Sequence, residues 1–201
     1  MPTGVALRDP RHQLFDAAER VLLRAGPNAL TSRAVTEEAG CAKGVLHRHF
    51  ADFDAFLADL VRDRTDRVRE RAAALRATAG TGSVVDHLTT VLTEVFGPVA
   101  VALVALVTSR DGLRARLRAD APTGVPLLTE ATAAIAAHLE AERGHGRIEP
   151  AADVDVLAPT LIGAGHLLFA DRTGAAPQPS DVRKVVVGVL GTAVREPTTP
   201  G

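Results

Sequence analysis

Lysine, arginine and histidine side chains are concentrated in one short segment, GCAKGVLHRHF, at residues 40–50. Cationic and imidazole groups bind phosphates and donate hydrogen bonds to base edges, so their clustering suggests contact with a nucleic acid. On a helical wheel Leu46 and Phe50 lie on one face, which predicts that they point into the core. The other residues would form an exposed arc that suits the major groove of DNA. The arc comprises Lys43, Gly44, Val45, His47, Arg48 and His49.

A second candidate contact lies at TSR, residues 31–33. Thr31 or Ser32 can cap the helix that follows, and the free N–H groups at that helix end suit a phosphate. Arg33 lies one turn inside, where it could reach a base. Each residue taken singly is as readily an ordinary solvated surface residue. The combination with the exposed arc favours DNA contact.

Helical periodicity extends along nearly the whole chain. Residues 11–25 and 31–39 and a third segment that ends near Phe50 predict three helices, with Gly40 in the tight turn before the third. This is a helix-turn-helix pattern, although any small three-helix bundle would have the same hydrophobic spacing. The predicted fold is all-α with about nine helices. It divides into an N-terminal helix-turn-helix DNA-binding domain over residues 1–52 and a C-terminal helical effector-binding and dimerisation domain over residues 53–201.

Composition restricts the class of protein. The chain has 201 residues, a net charge of −1 and a single cysteine, Cys41, so no disulfide can form within it. The longest apolar run, residues 97–107, is shorter than the roughly 18 residues of a membrane span. No signal-type segment is evident at the N-terminus. We therefore expect a cytoplasmic protein without a membrane segment.

The segment LFDAAERVLLRAGPNALTSRAVTEEAGCAKGVLHRHFADFDAFLADLV resembles the DNA-binding domain of the TetR family of bacterial transcriptional regulators. The shared features are the AA..L..A.G pattern of the first helix, TSR opening the second, KG.L opening the third and HF closing it. The resemblance implies a repressor that binds a palindromic operator as a homodimer and is released by a small-molecule effector. It also implies base or phosphate contacts for Arg33, Lys43, Gly44, Val45 and His49.

Three positions depart from the family pattern. Ala42 replaces the usual capping serine or threonine, which should cost about 1 kcal/mol of local helix stability. His47 stands where a tyrosine is usual and could make DNA contact sensitive to pH. Phe53 stands where a phosphate-binding lysine is common. These departures leave open an all-helical DNA-binding or interaction protein without a small-molecule effector.

The C-terminal half predicts a dimer interface and a ligand pocket. Two very apolar helices, at about residues 153–171 and 180–195, need cover on more than one face. A second copy of the chain can supply it, and the alternative for each is a central helix in the core of the monomer. Polar or aromatic residues among aliphatic ones are candidates to line a pocket, although core packing is the alternative for each. These candidates are His87, Val91, Phe96, Val107, His138, Thr160, His166 and Phe169.

Catalysis, a cofactor and a metal site are not expected. The sequence has no nucleophile–base motif, phosphate loop or dinucleotide fingerprint. The histidines of the C-terminal half have neither HxxxH nor HxxH spacing, and no cysteine accompanies them.

Overall fold

The computed structural model describes residues 9–119, 122–170 and 176–195, and these are mostly helical. The ten α-helices are α1 (Pro10–Ala25), α2 (Ser32–Glu38), α3 (Gly44–His49), α4 (Phe53–Ala77), α5 (Val84–Val95), α6 (Pro98–Ser109), α7 (Asp111–Leu117), α8 (Pro126–Gly144), α9 (Val154–Ala170) and α10 (Pro179–Leu190). Two short 3-10 helices lie at Pro27–Ala29 and Gly191–Ala193. The predicted all-α fold is confirmed, with ten α-helices in the described residues rather than about nine.

The chain divides into two compact units, each built from two stretches of sequence. The first comprises residues 1–64 and 98–126, and the second comprises residues 65–97 and 127–201. The domain boundary after residue 52 stays a prediction.

An aromatic cluster lies at the core of the first unit. The ring of Phe50 lies 5.0 Å from that of Phe56 and 6.0 Å from that of Phe15, between ring centroids. Around this cluster α1 packs against α2, α3 and α6. The buried stripe of α1 is the one that the periodicity predicts, and it includes Leu14, Phe15, Ala18, Val21 and Leu22.

Arginines connect the helices of the first unit. Arg20 and Arg24 on α1 both bind Glu38 at the end of α2, each at 2.8 Å. Arg110, just before α7, donates to the carbonyl oxygen of Leu30 at 3.3 Å, and Arg116 on α7 pairs with Asp52. These contacts join α1 to the end of α2 and tie the segments before α2 and before α4 to the region of α7.

The second unit has an aliphatic core with Phe96 as its large aromatic side chain. Helix α10 packs against α5 and α9. Gly165 on α9 lies directly against Phe96, since a Cβ at position 165 would lie 2.9 Å from a ring carbon. A glycine at position 165 therefore permits the close approach of α9 to the ring.

Helix α10 ends earlier than the predicted Arg195. It stops at Leu190 because Gly191, with φ of 50°, takes a backbone conformation that interrupts the helix. The chain then pairs with the segment after α8: Ile148 and Val194 form an isolated antiparallel bridge, and Glu149 N–H donates to the Ala193 carbonyl at 2.8 Å. The prediction of helix through Arg195 is therefore wrong for its last five residues.

No single helix in the described residues is long and apolar enough to cross a membrane, and α5 and α6 pass that test only when joined as a bent pair.

Candidate DNA-binding surface and buried histidine cluster

Helix α2 begins with a side-chain cap and ends in a glycine turn. Thr31 is the N-cap, and its Oγ1 accepts a hydrogen bond from the Ala34 N–H at 3.1 Å. Gly40 has φ of 65°, a left-handed conformation that favours glycine, and it turns the chain toward α3. The Cys41 N–H then donates to the Thr36 carbonyl at 3.0 Å, which fixes the turn.

Helix α3 has one buried face and one cationic exposed face. Leu46 is fully buried and Phe50, at the helix end, is 4% exposed. Lys43, His47 and Arg48 are exposed. Gly44 is also exposed, and Val45 and His49 are half-buried. The predicted burial of Leu46 and Phe50 is therefore confirmed, whereas Val45, which was predicted to be exposed, is half-buried.

No protein atom lies within 4 Å of the position that a Cβ on Gly44 would take. The backbone at the start of α3 is therefore open to a close approach by another molecule. Together with α2, this arrangement defines a helix-turn-helix module of the kind that inserts its second helix into DNA.

Arg33 projects from α2 with 82% of its side chain exposed, and its Nε donates to the carboxylate of Glu37 at 2.6 Å. This hydrogen bond raises the pKa of the Arg33 guanidinium above its ordinary value. An exposed carboxylate thus lies beside a predicted DNA-contacting cation. Ser32, also predicted to contact DNA, is half-buried on the first turn of α2.

The three departures from the family pattern have different structural settings. Helix α3 has no side-chain cap: Lys43, directly before Gly44, is already helical, so a capping hydroxyl would have to come from position 42, where Ala42 has none. Phe53 is half-buried, with its ring stacked on Phe56 at 5.6 Å and the Arg110 guanidinium 5.4 Å from its centroid. His47 is an exposed side chain on the cationic face.

Comparison with known proteins agrees with this geometry. Residues 14–60 match the family model of bacterial regulatory proteins, tetR family. No curated protein matches the sequence significantly. The matched residues run from α1 through α2 and α3 into the first part of α4.

Solved structures share the fold over most of the chain. A protein from Rhodococcus sp. assigned as a TetR-family transcriptional regulator has a TM-score of 0.69 at 19% identity, covering 94% of this chain and 100% of that one. GusR from Salmonella enterica has a TM-score of 0.68 at 18% identity, covering 92% and 95%. The multidrug binding protein EbrR, solved with imidazole, has a TM-score of 0.58 at 20% identity, covering 96% and 99%.

The eight residues predicted to line a pocket do not form one group. Phe96 lies 5.9 Å from His166 and 6.1 Å from Phe169, between ring centroids, so these three form one cluster. His87 and His138 form another, with ring centroids 5.8 Å apart. Thr160 is exposed, Val91 is half-buried on α5, and Val107 belongs to the first unit.

Two grooves in the second unit are lined by other residues. One, of about 380 Å³, lies between α4 and α8. Its lining comprises Arg69, Ala72, Ala73, Arg76, Glu130, Ala133, Ala134 and Ala137. The other, of about 350 Å³, lies between α8 and the start of α9 and is lined in part by Glu140, Asp153 and Asp155. Neither includes a residue from the predicted pocket.

A buried polar cluster joins α5 and α8. His138 and Glu142 are both fully buried, and His87 is half-buried. One potential ligand atom from each of the three residues lies within 4.8 Å of the others. Burial lowers the pKa of His138 below its ordinary value, and the Glu142 carboxylate opposes this effect.

Glu142 has strong partners of its own. The Arg147 Nε lies 2.9 Å from Glu142 Oε2 and its Nη2 donates to Oε1 at 3.1 Å. The Gly80 N–H also donates to Oε2, at 3.1 Å. Sequence reasoning missed this cluster because His87 lies far along the chain from His138. The available signal was His138 and Glu142 at i and i+4, which places both on one helix face.

Proposed function

We propose that this protein is a homodimeric, ligand-responsive transcriptional repressor that binds a palindromic DNA operator in the cytoplasm and is not an enzyme. The observation that carries the proposal is the orientation of α3, which buries Leu46 and exposes Lys43, His47 and Arg48. The family match of residues 14–60 supports it.

The proposed DNA contacts combine positioning and base reading. Phosphates are bound by the N-terminal end of α2, at Thr31 and Ser32, and by His49. Arg33, His47 and Arg48 are long or ring-bearing donors that can reach base edges, and Lys43 can reach a base or a phosphate. Gly44 and Val45 allow close approach, and the Val45 methyls suit a thymine methyl group.

Dimerisation is proposed through α9 and α10. Large apolar side chains are exposed there: Val156 is 57% exposed, Leu167 is 77% exposed and Val187 is 46% exposed. Val156, Gly163 and Leu167 are spaced by seven and four residues, so they lie along one stripe of α9. Space is open at the Cβ positions of Gly163 and Gly188, which permits close helix packing. A symmetric partner surface would bury this stripe.

Leu167→Glu tests this interface. The substitution would bury an unpaired carboxylate from each subunit in the symmetric interface, which is unfavourable. The variant should therefore sediment as a monomer at concentrations where the wild type is a dimer. Leu23→Glu, at an apolar side chain on α1 that is 41% exposed, is the matched control and should remain dimeric. A dimeric Leu167→Glu protein would contradict the interface.

The groove between α4 and α8 is the proposed effector site. Its lining combines alanines with Arg69, Arg76 and Glu130, which suits an amphipathic molecule with an acidic group. A fold relative, EbrR, is a multidrug binding protein solved with imidazole, which supports a role for this fold in small-molecule binding. The predicted lining by His87, Val91, Phe96, Val107, His138, Thr160, His166 and Phe169 stays a prediction.

Selection from a randomised pool of double-stranded DNA tests the central proposal. We expect enrichment of an inverted repeat, since a two-fold symmetric dimer presents two copies of α3. Arg48→Ala should weaken binding to the enriched sequence by about 1–3 kcal/mol and relax the preference at one base pair of each half-site. Arg118→Ala, which removes an exposed arginine after α7, is the matched control.

The alternative is a DNA-binding protein without an effector. It predicts the same enriched sequence but no small molecule that changes DNA affinity. A screen of amphipathic carboxylates against the wild type and Ala134→Leu, which narrows the groove, separates the two. Release of DNA by a compound in the wild type only would support the groove as the effector site.

A further inference from the structure

The buried cluster of His87, His138 and Glu142 leaves polar atoms without partners. Neither ring nitrogen of His138, nor Nδ1 of His87, makes a hydrogen bond within the described residues. A buried polar atom that lacks a hydrogen-bond partner destabilises the folded protein. Such atoms therefore indicate a group that completes the site.

The arrangement of the ring atoms narrows what that group can be. His138 Nε2 faces Glu142 Oε1 at 3.5 Å, which is too long for a normal hydrogen bond. A cation placed between these two atoms would give the ring nitrogen the partner that it lacks and would be attracted by the carboxylate.

We propose that His87, His138 and Glu142 form a binding site for a divalent transition-metal ion of the zinc class. Two imidazoles and one carboxylate are a donor set that zinc accepts, with a fourth position left for water or another ligand. The potential ligand atoms lie within 4.8 Å of one another. Tetrahedral zinc needs them about 3.3 Å apart, so binding requires a contraction of up to about 1.5 Å.

The surroundings of the cluster can accommodate that contraction. His87 is only half-buried, and Gly82, with φ of 48°, lies against its ring: a Cβ at position 82 would lie 3.0 Å from Nε2. The glycine gives the imidazole space to turn. Glu142 is held by the Gly80 N–H and by Arg147, which also donates to the Thr81 carbonyl at 2.8 Å. The carboxylate therefore remains fixed while the rings close on the ion.

Arg147 also limits how tightly the site binds. Its guanidinium neutralises Glu142 in the metal-free protein and would repel a divalent ion. The site should therefore bind a metal more weakly than a site whose carboxylate has no cationic partner. Removal of this charge should strengthen binding, an effect that a purely structural Glu142–Arg147 ion pair does not predict.

Cobalt and zinc titrations of the full chain test the site. After chelator treatment and dialysis, we expect one Co²⁺ per chain, seen as the visible absorption bands of a tetrahedral ion and displaced by Zn²⁺. His87→Gln and His138→Gln should each weaken binding by at least about tenfold. Arg147→Gln, which keeps N–H donors but removes the charge, should tighten it by about tenfold. His166→Gln, a half-buried histidine outside the cluster, is the matched control and should bind as the wild type does.

The result that overturns the proposal is specific. A wild type that binds neither ion at micromolar concentration would do so, as would unchanged binding in His87→Gln and His138→Gln. An unchanged metal affinity in Arg147→Gln would show that the ion binds elsewhere, and this result would also overturn the proposal. If the His138→Gln protein loses its helical circular dichroism signal, the metal titration of His87→Gln alone tests the proposal. His87 is only half-buried, so its replacement should leave the fold intact.

Discussion

Replacing Gly165 with alanine tests the packing of the second unit around Phe96. The new Cβ would lie 2.9 and 3.1 Å from two Phe96 ring carbons and 3.5 Å from a Leu92 methyl. Carbon atoms in contact normally lie about 3.5–4.0 Å apart, so the ring must move by about 0.5–1 Å. Phe96 is 1% exposed, and the rings of His166 and Phe169 lie on it. Little space remains for that movement.

The expected cost follows from two opposing effects. Overpacking a core destabilises a protein by about 1–3 kcal/mol, whereas alanine in place of a helical glycine stabilises it by about 1 kcal/mol. Gly165→Ala should therefore lower the free energy of unfolding by up to about 2 kcal/mol, measured by urea denaturation and far-ultraviolet circular dichroism. Gly144→Ala, at a helical position with no atom within 4 Å, is the control and should match or exceed the wild type. Equal stability of the two variants would refute the reasoning, because it would show that Phe96 has free space around it.

Three further predictions concern the cap of α3, the charge beside Arg33 and the buried histidine. Ala42→Ser supplies a hydroxyl to the uncapped start of α3 and should raise the free energy of unfolding by about 1 kcal/mol and Tm by about 2–4 °C; an unchanged melting curve would contradict this. Glu37→Gln removes a carboxylate beside Arg33 and should tighten DNA binding by about two- to fivefold in fluorescence anisotropy, whereas weaker binding would show that the ion pair orients the arginine. Burial lowers the pKa of His138, so the unfolded chain takes up a proton that the folded chain excludes. In chelator-containing buffer, the free energy of unfolding should fall as the pH falls from about 7 to 5, and His138→Leu should flatten this dependence; equal slopes would contradict it.

Local signals in the sequence predict the helices well. The apolar spacing of α1, the capping Thr31 and the turn glycine Gly40 each act over a few residues, and the structure contains all three features. The valine-rich α10 is a helix, as predicted, because the described residues offer it no strand along its length to pair with. Helix α10 ends before the predicted Arg195 because Gly191 interrupts it, and the chain beyond Gly191 pairs with Ile148 in a bridge that is distant in sequence.

The candidate sites differ in how far sequence could predict them. The exposed face of α3 follows from a helical wheel, since Leu46 and Phe50 identify the buried side. The histidine cluster forms only because α5 and α8 come together in the fold, and no local sequence pattern predicts that contact. The groove between α4 and α8 was missed for a related reason. Alanine is common in any helix, so the alanines of α4 and α8 indicate a groove only when the fold places the two helices opposite each other.

The most direct test of the account is the salt dependence of binding to the sequence enriched from random DNA. We predict that log K falls linearly and steeply with log salt for the wild type, because phosphate contacts release counterions. Lys43→Ala should reduce that slope by about one, whereas Arg118→Ala should leave it unchanged. If no sequence is bound more tightly than non-specific DNA, or if Lys43→Ala and Arg118→Ala have the same slope as the wild type, α3 does not bind DNA and the account is contradicted.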